Sequence, residues 1–117
     1  MGGLLAVPST WGNAMEFLVE FDVNIPEGTP ESEVEDRKNA EASAAAKLVG
    51  EGHLLRVWNR PVASGETNVI GLYRADSDIE LDGLLGALPL YEWMHVTVTP
   101  LEPHPNDPAA TADTSRP

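Results

Sequence analysis

A chain of 117 residues, 42% of them hydrophobic, is long enough for one compact core and too short for two ordinary domains. Its 19 acidic against 7 basic residues leave a net charge of -12, which argues against a nucleic-acid backbone or an anionic membrane surface as partner, since both need clustered Lys and Arg. Cysteine is absent, so no disulfide framework or thiolate chemistry is available.

The histidines at 53, 95 and 104 match no local metal-ligand spacing, and nothing in the sequence asks for a metal. An apolar run of about 18 residues, sufficient to cross a bilayer, is missing, and the first residues lack the basic start and apolar middle of a secretory signal. The expectation is a cytoplasmic, soluble protein.

In chain order, residues 1–14 carry a Gly-Gly pair, a Pro and a Ser-Thr-Trp-Gly-Asn run without periodicity, and read as an N-terminal extension. From Glu16 the residues Phe17, Val19, Phe21 and Val23 alternate with Glu16, Glu20 and Asp22, the pattern of a half-buried strand, with Leu18 as the exception. A turn-rich loop follows, and Thr29 before Pro30, with acids at 31 and 33, signals a helix start.

That helix runs to about Val49 and turns one face through Val34, Ala45 and Leu48, and the same face carries Glu41. A carboxylate thus stands where a core residue is expected. After a Gly-containing exit at Gly50 and Gly52, residues 53–60 read as a strand, with Arg56, Trp58 and Arg60 on one side and Leu55 and Val57 on the other. If the helix packs over the Arg56 side, an acid and two guanidinium groups meet around an indole ring. Such a grouping is a small-anion pocket with a proton-transfer group.

Residues 61–66 have the length of a hairpin loop, and the β-rich run from Thr67 to Tyr73 closes an antiparallel pair. Asp76, Ser77 and Asp78 cap a second helix whose apolar face is Ile79, Leu81, Leu84, Leu85 and Leu88, and Pro89 stops it. The last strand falls within 91–99, with Met94, Val96 and Val98 on one face. Five prolines from Pro100 onward mark a C-terminal arm, 102–117, expected to fray into disorder. The folded domain is expected over 15–101.

The order β-α-β-β-α-β predicts an α+β, ferredoxin-like subunit with a four-stranded antiparallel sheet and two helices on one face. Apolar residues on both faces of the first strand, Phe17 against Leu18, predict that two subunits pack sheet against sheet in a dimeric α/β-barrel type assembly.

The run from Phe21 to Pro26, the helix bearing Glu41, the segment from Gly52 to Trp58, and the closing Leu88-Pro89-Leu90, Val98-Thr99-Pro100-Leu101 and His104-Pro105 together resemble the muconolactone delta-isomerase family. The resemblance spans about residues 15 to 108 in one register. It implies a ferredoxin-like subunit, homodimers often arranged in a ring, and a cofactor-free reaction that moves a double bond in a butenolide, from muconolactone to the enol-lactone of 3-oxoadipate. Two departures fall near the implied pocket. Family members commonly carry Arg-Leu-Trp-Arg where this chain has Arg56, Val57, Trp58 and Asn59 followed by Arg60, and Thr67 stands where many have Trp.

Moving an allylic double bond beside a lactone carbonyl requires taking a proton from one carbon, holding the dienolate, and returning a proton two carbons away. One carboxylate does both if burial lifts its pKa. Glu41 is the candidate, with Arg56, Arg60 or Asn59 as anion holders, Trp58 as a wall and His104 in an arm that caps the pocket. The residues alone leave plainer readings open: an ion pair of Glu41 with Arg56 or Lys38, a solvated strand face for Arg56, and interface packing for Trp58. They also leave open a non-catalytic small-ligand-binding or assembly protein, or an isomerase or cyclase for another lactone or polyketide-like substrate.

Overall fold

The computed structural model describes residues 14–61 and 67–108, with Thr67 described by its backbone alone. Four strands, β1 (Met15–Val23), β2 (Leu54–Arg60), β3 (Thr67–Ala75) and β4 (Met94–Leu101), form one antiparallel sheet in the order β2-β3-β1-β4. Helices α1 (Glu31–Gly50) and α2 (Asp78–Gly86) make the two crossovers, so the ferredoxin-like order expected from the sequence is the observed one. The extension at 1–13, the hairpin loop at 62–66 and the arm beyond 108 lie outside the described residues.

The alternation of β1 decides which face is the inside. Phe17, Val19 and Phe21 are buried beneath the helices, where Tyr73, Ala75, Leu48, Leu54, Leu81 and Leu85 join them. Met94, Val96 and Val98 pack on the same side, as the period of two predicts. The opposite face carries Leu18, Ile70 and Leu72 among polar residues, with no helix over it.

Three local details differ from the sequence reading. Thr29 does not cap α1: its Oγ1 donates to the Pro26 carbonyl at 2.6 Å, and Pro30 takes the N-cap position without a side-chain bond. Ser77 does cap α2, accepting from the Glu80 N–H at 3.1 Å, while Glu80 Oε1 accepts from the Asp76 N–H at 2.7 Å. Ile79, expected on the buried face of α2, is 80% exposed, because a helix of nine residues turns only Leu81 and Leu85 fully inward.

The third difference bears on function. A bulge between Leu54 and Arg56 inserts one residue into β2, so Leu54 instead of Leu55 joins the core, and Val57 and Asn59 share its side of the sheet without being buried. Arg56, Trp58 and Arg60 do share one side, as alternation requires. That side is the open one.

Candidate active site

Every α1 residue shielded from solvent belongs to a single stripe, Val34, Arg37, Glu41, Ala44, Ala45 and Leu48. Two of these are charged and two are alanine, and only Leu48 is buried outright. A helix with so little bulk on its inner face covers the sheet beneath it thinly. Val57 and Asn59 point to the helix side of the edge strand yet stay exposed, Val57 by 53%, so the helix leaves the β2 edge uncovered.

Glu41 lies on this inner stripe. Its Oε1 accepts the Leu90 N–H at 3.0 Å, the first free amide after Pro89. Burial raises its pKa above the usual carboxylate value, and the Leu90 bond, which favours the charged form, opposes that shift in part. Facing it from β3 is Tyr73, 4% exposed, whose ring meets Phe21 edge-on at 6.1 Å between centroids. Burial and then the charge of Glu41 push the Tyr73 phenol up to about 12, so it remains a donor throughout the neutral range. Gly71 makes room for that ring: a Cβ there would stand 2.7 Å from Tyr73 Cε1.

Arg37, one turn before Glu41, reaches the segment that follows α2. Its Nη1 donates to the Pro89 carbonyl at 3.2 Å and pairs with Glu92 at 2.8 Å, its Nη2 lies 3.5 Å from Glu33, and its guanidinium sits 4.5 Å from the centre of the Trp93 ring.

The cationic residues expected around Glu41 are elsewhere. Arg56 lies over the Trp58 ring at 4.9 Å, and Arg60 pairs with Glu20 at 3.3 Å, all on the open face and separated from Glu41 by the sheet. The expectation that α1 covers the Arg56 side is therefore corrected: β1 buries Phe17, Val19 and Phe21, and register with β3 then forces Arg56, Trp58 and Arg60 outward. Of the β2 candidates only Asn59 is on Glu41's side. His104 also lies away from Glu41. It lines a separate groove of about 760 Å³ with Met15, Arg74 and Leu101, where its Nδ1 accepts the Asn106 N–H at 2.9 Å. That groove contains the Arg74–Glu16 ion pair but not Glu41.

Tyr73, Arg37 and the Leu90 amide were not anticipated. Helical spacing offers Arg37, four residues before Glu41, and strand alternation offers Tyr73, which shares a face with Val69 and Gly71. Nothing local announces the Leu90 amide. Among the described residues no group of three His, Asp or Glu side chains is placed to hold a metal ion, and no helix is long and apolar enough to cross a membrane.

Comparison with known proteins gives one consistent answer. Residues 15–107 match the model of the muconolactone delta-isomerase family. The chain is 35% identical over 92 residues to a muconolactone delta-isomerase of Cupriavidus pinatubonensis, covering 79% of this chain and 97% of that one. It is 34% identical over 92 residues to muconolactone delta-isomerase 1 of Acinetobacter lwoffii, covering 93% of the relative. The crystal structure of a muconolactone isomerase superimposes with a TM-score of 0.69 at 27% identity, covering 80% of this chain and 95% of that one.

Proposed function

The chain belongs to the muconolactone delta-isomerase family, and from that premise we propose that it isomerises muconolactone to the enol-lactone of 3-oxoadipate with Glu41 as the proton shuttle. The observation that carries the reading is a half-buried carboxylate with a raised pKa, held by one backbone N–H on the inner stripe of a helix that leaves the β2 edge exposed. The ionised Glu41 takes a proton from the ring carbon, and the electron pair moves through the double bond onto the lactone carbonyl oxygen. Tyr73 donates a hydrogen bond to that oxygen and keeps its own proton. Protonated Glu41 then returns the proton two carbons away, and the carboxylate is regenerated. Asn59, on Glu41's side of β2, supplies an amide donor to the substrate carboxylate. The chain is an isomerase in this reading, working in the cytoplasmic β-ketoadipate route of aromatic catabolism.

Incubation with muconolactone in deuterated water is the direct test. Formation of the enol-lactone with label at the protonated carbon is expected. Binding of the lactone without label uptake or product would instead make this a small-ligand-binding protein of the same fold.

The open face supports a homodimer. Leu18, Ile70, Leu72 and a 40% exposed Trp58 line it, with Arg56 and Arg60 toward the β2 edge, and a second copy laid sheet to sheet covers the apolar strip. Leu72→Glu, which sets an unpaired carboxylate in that contact, is expected to weaken the dimer by about 3 kcal/mol or more. Light scattering at micromolar concentration reads the outcome. A wild-type chain that runs as a monomer there overturns the assembly.

A further inference from the structure

One part of the site is built by contacts that the proton transfer itself does not use. The bend between α2 and β4, from Pro89 to Trp93, has to hold Leu90 so that its N–H points at Glu41. Within the bend the Tyr91 N–H reaches the Leu88 carbonyl at 3.0 Å and the Trp93 N–H reaches Leu90 at 2.9 Å, which shapes the turn but does not fix its distance from α1. Arg37 spans that distance. It touches the residue before Leu90 through the Pro89 carbonyl, and the two residues that end the bend through the Glu92 carboxylate and the Trp93 ring. Glu33, one turn back on α1, steadies the guanidinium from the other side.

We propose that Arg37 is a positioning residue, a three-point clamp that docks the Pro89 to Trp93 bend against α1 and thereby aims the Leu90 N–H at the Glu41 carboxylate. The guanidinium suits the task because one planar group donates to a carbonyl, pairs with a carboxylate and lies against an aromatic face at once. A lysine ammonium in its place keeps the charge and loses that geometry. The groups facing Glu41 are Tyr73 on β3 and the Leu90 amide; Arg37 lies one turn away on its own helix, with Glu33 and Glu92 as its ion-pair partners. Releasing the clamp removes the bond that favours the charged carboxylate, so Glu41 must titrate higher.

This rests on Glu41 being the proton-transfer group only for its kinetic consequence. The test is therefore a direct titration of the full chain carrying carboxyl-13C glutamate, with the Glu41 signal assigned by its loss in Glu41→Gln, alongside hydrogen exchange at the Leu90 amide. Arg37→Ala and Arg37→Lys are both expected to raise the Glu41 midpoint by about one pH unit and to speed Leu90 exchange at least about tenfold. If Arg37→Lys restores the midpoint and the protection, Arg37 acts through its charge alone and the clamp is overturned. Unchanged titration and exchange in both variants overturn it as well.

Glu92, 68% exposed along its side chain, provides a variant that leaves α1 untouched. Glu92→Gln removes a negative charge, which by field alone lowers the Glu41 midpoint, whereas loosening the clamp raises it. A rise supports the clamp and a fall contradicts it. The acidic limb of kcat/KM is expected to follow the Glu41 titration in the Arg37 variants. A limb that stays put while the titration moves leaves the clamp standing and removes Glu41 as the base.

Discussion

Glu41→Gln is expected to lower kcat by about 10²- to 10⁴-fold, the range that a positioned acid or base supplies, without loss of fold. The upper end applies if one carboxylate serves both proton transfers. Gln keeps the shape and its amide oxygen still accepts the Leu90 N–H, so the substitution removes basicity and little else. Steady-state turnover of muconolactone and solvent-deuterium uptake measure the loss, and near-normal turnover would falsify the shuttle. The wild-type protein adds a pH signature. In the proposed shuttle the working form is the ionised carboxylate, and because burial raises its pKa, the rise of kcat/KM with pH is expected above the ordinary carboxylate range.

The same displaced titration has a thermodynamic face with a definite sign. A carboxylate whose folded pKa exceeds its unfolded value binds more protons folded than unfolded between the two values, so stability falls as pH rises through that window. Glu41→Gln has no such slope. The variant should therefore match the wild type in acid and become the more stable of the two near neutrality, with the gain limited by the Leu90 bond that already offsets part of the burial cost. Urea midpoints at several pH values read it. A site that weakens its own fold when charged is consistent with function at that position.

How far the sequence could be followed differs between fold and site. Alternation in β1 and β4, the Ser77 cap and the helical stripe through Val34, Glu41, Ala45 and Leu48 are local signals, and each has its counterpart in the structure. The side of the sheet on which Arg56 lies is not local. It follows from the pairing of β2 with β3, of β3 with β1, and from the burial of Phe17, Val19 and Phe21, three steps away along the sheet. Period-two reading grouped Arg56 with Trp58 and Arg60 correctly but could not say which face they share. Register with β3 puts Arg60 on the open face and leaves Asn59 on Glu41's side. The bulge at Leu54 was equally hidden, since Leu54 and Leu55 are adjacent leucines and only the register selects which one enters the core.

Tyr73→Phe is expected to reduce kcat by about 10²- to 10³-fold, the effect of removing one preorganised oxyanion donor, while KM and stability change little. The hydroxyl has no protein hydrogen bond to lose among the described residues, whereas the ring, packed on Phe21 and 4% exposed, stays in place as Phe. Gly71→Ala provides a second route to the same group. Its Cβ would fall 2.7 Å from Tyr73 Cε1, closer than carbon atoms approach, so the buried ring must move and carry the hydroxyl with it. If both act through the hydroxyl, the double variant will be no slower than the slower single one, a failure of additivity that separate roles would not produce. The alkaline side offers an independent check. A phenol raised to about 12 by burial and by the neighbouring Glu41 charge keeps its proton well past neutrality, so ionisation of Tyr73 cannot end activity below about pH 10. An unimpaired Tyr73→Phe would move the task of holding the dienolate to the Asn59 amide, a donor that β2 presents on this side of the sheet.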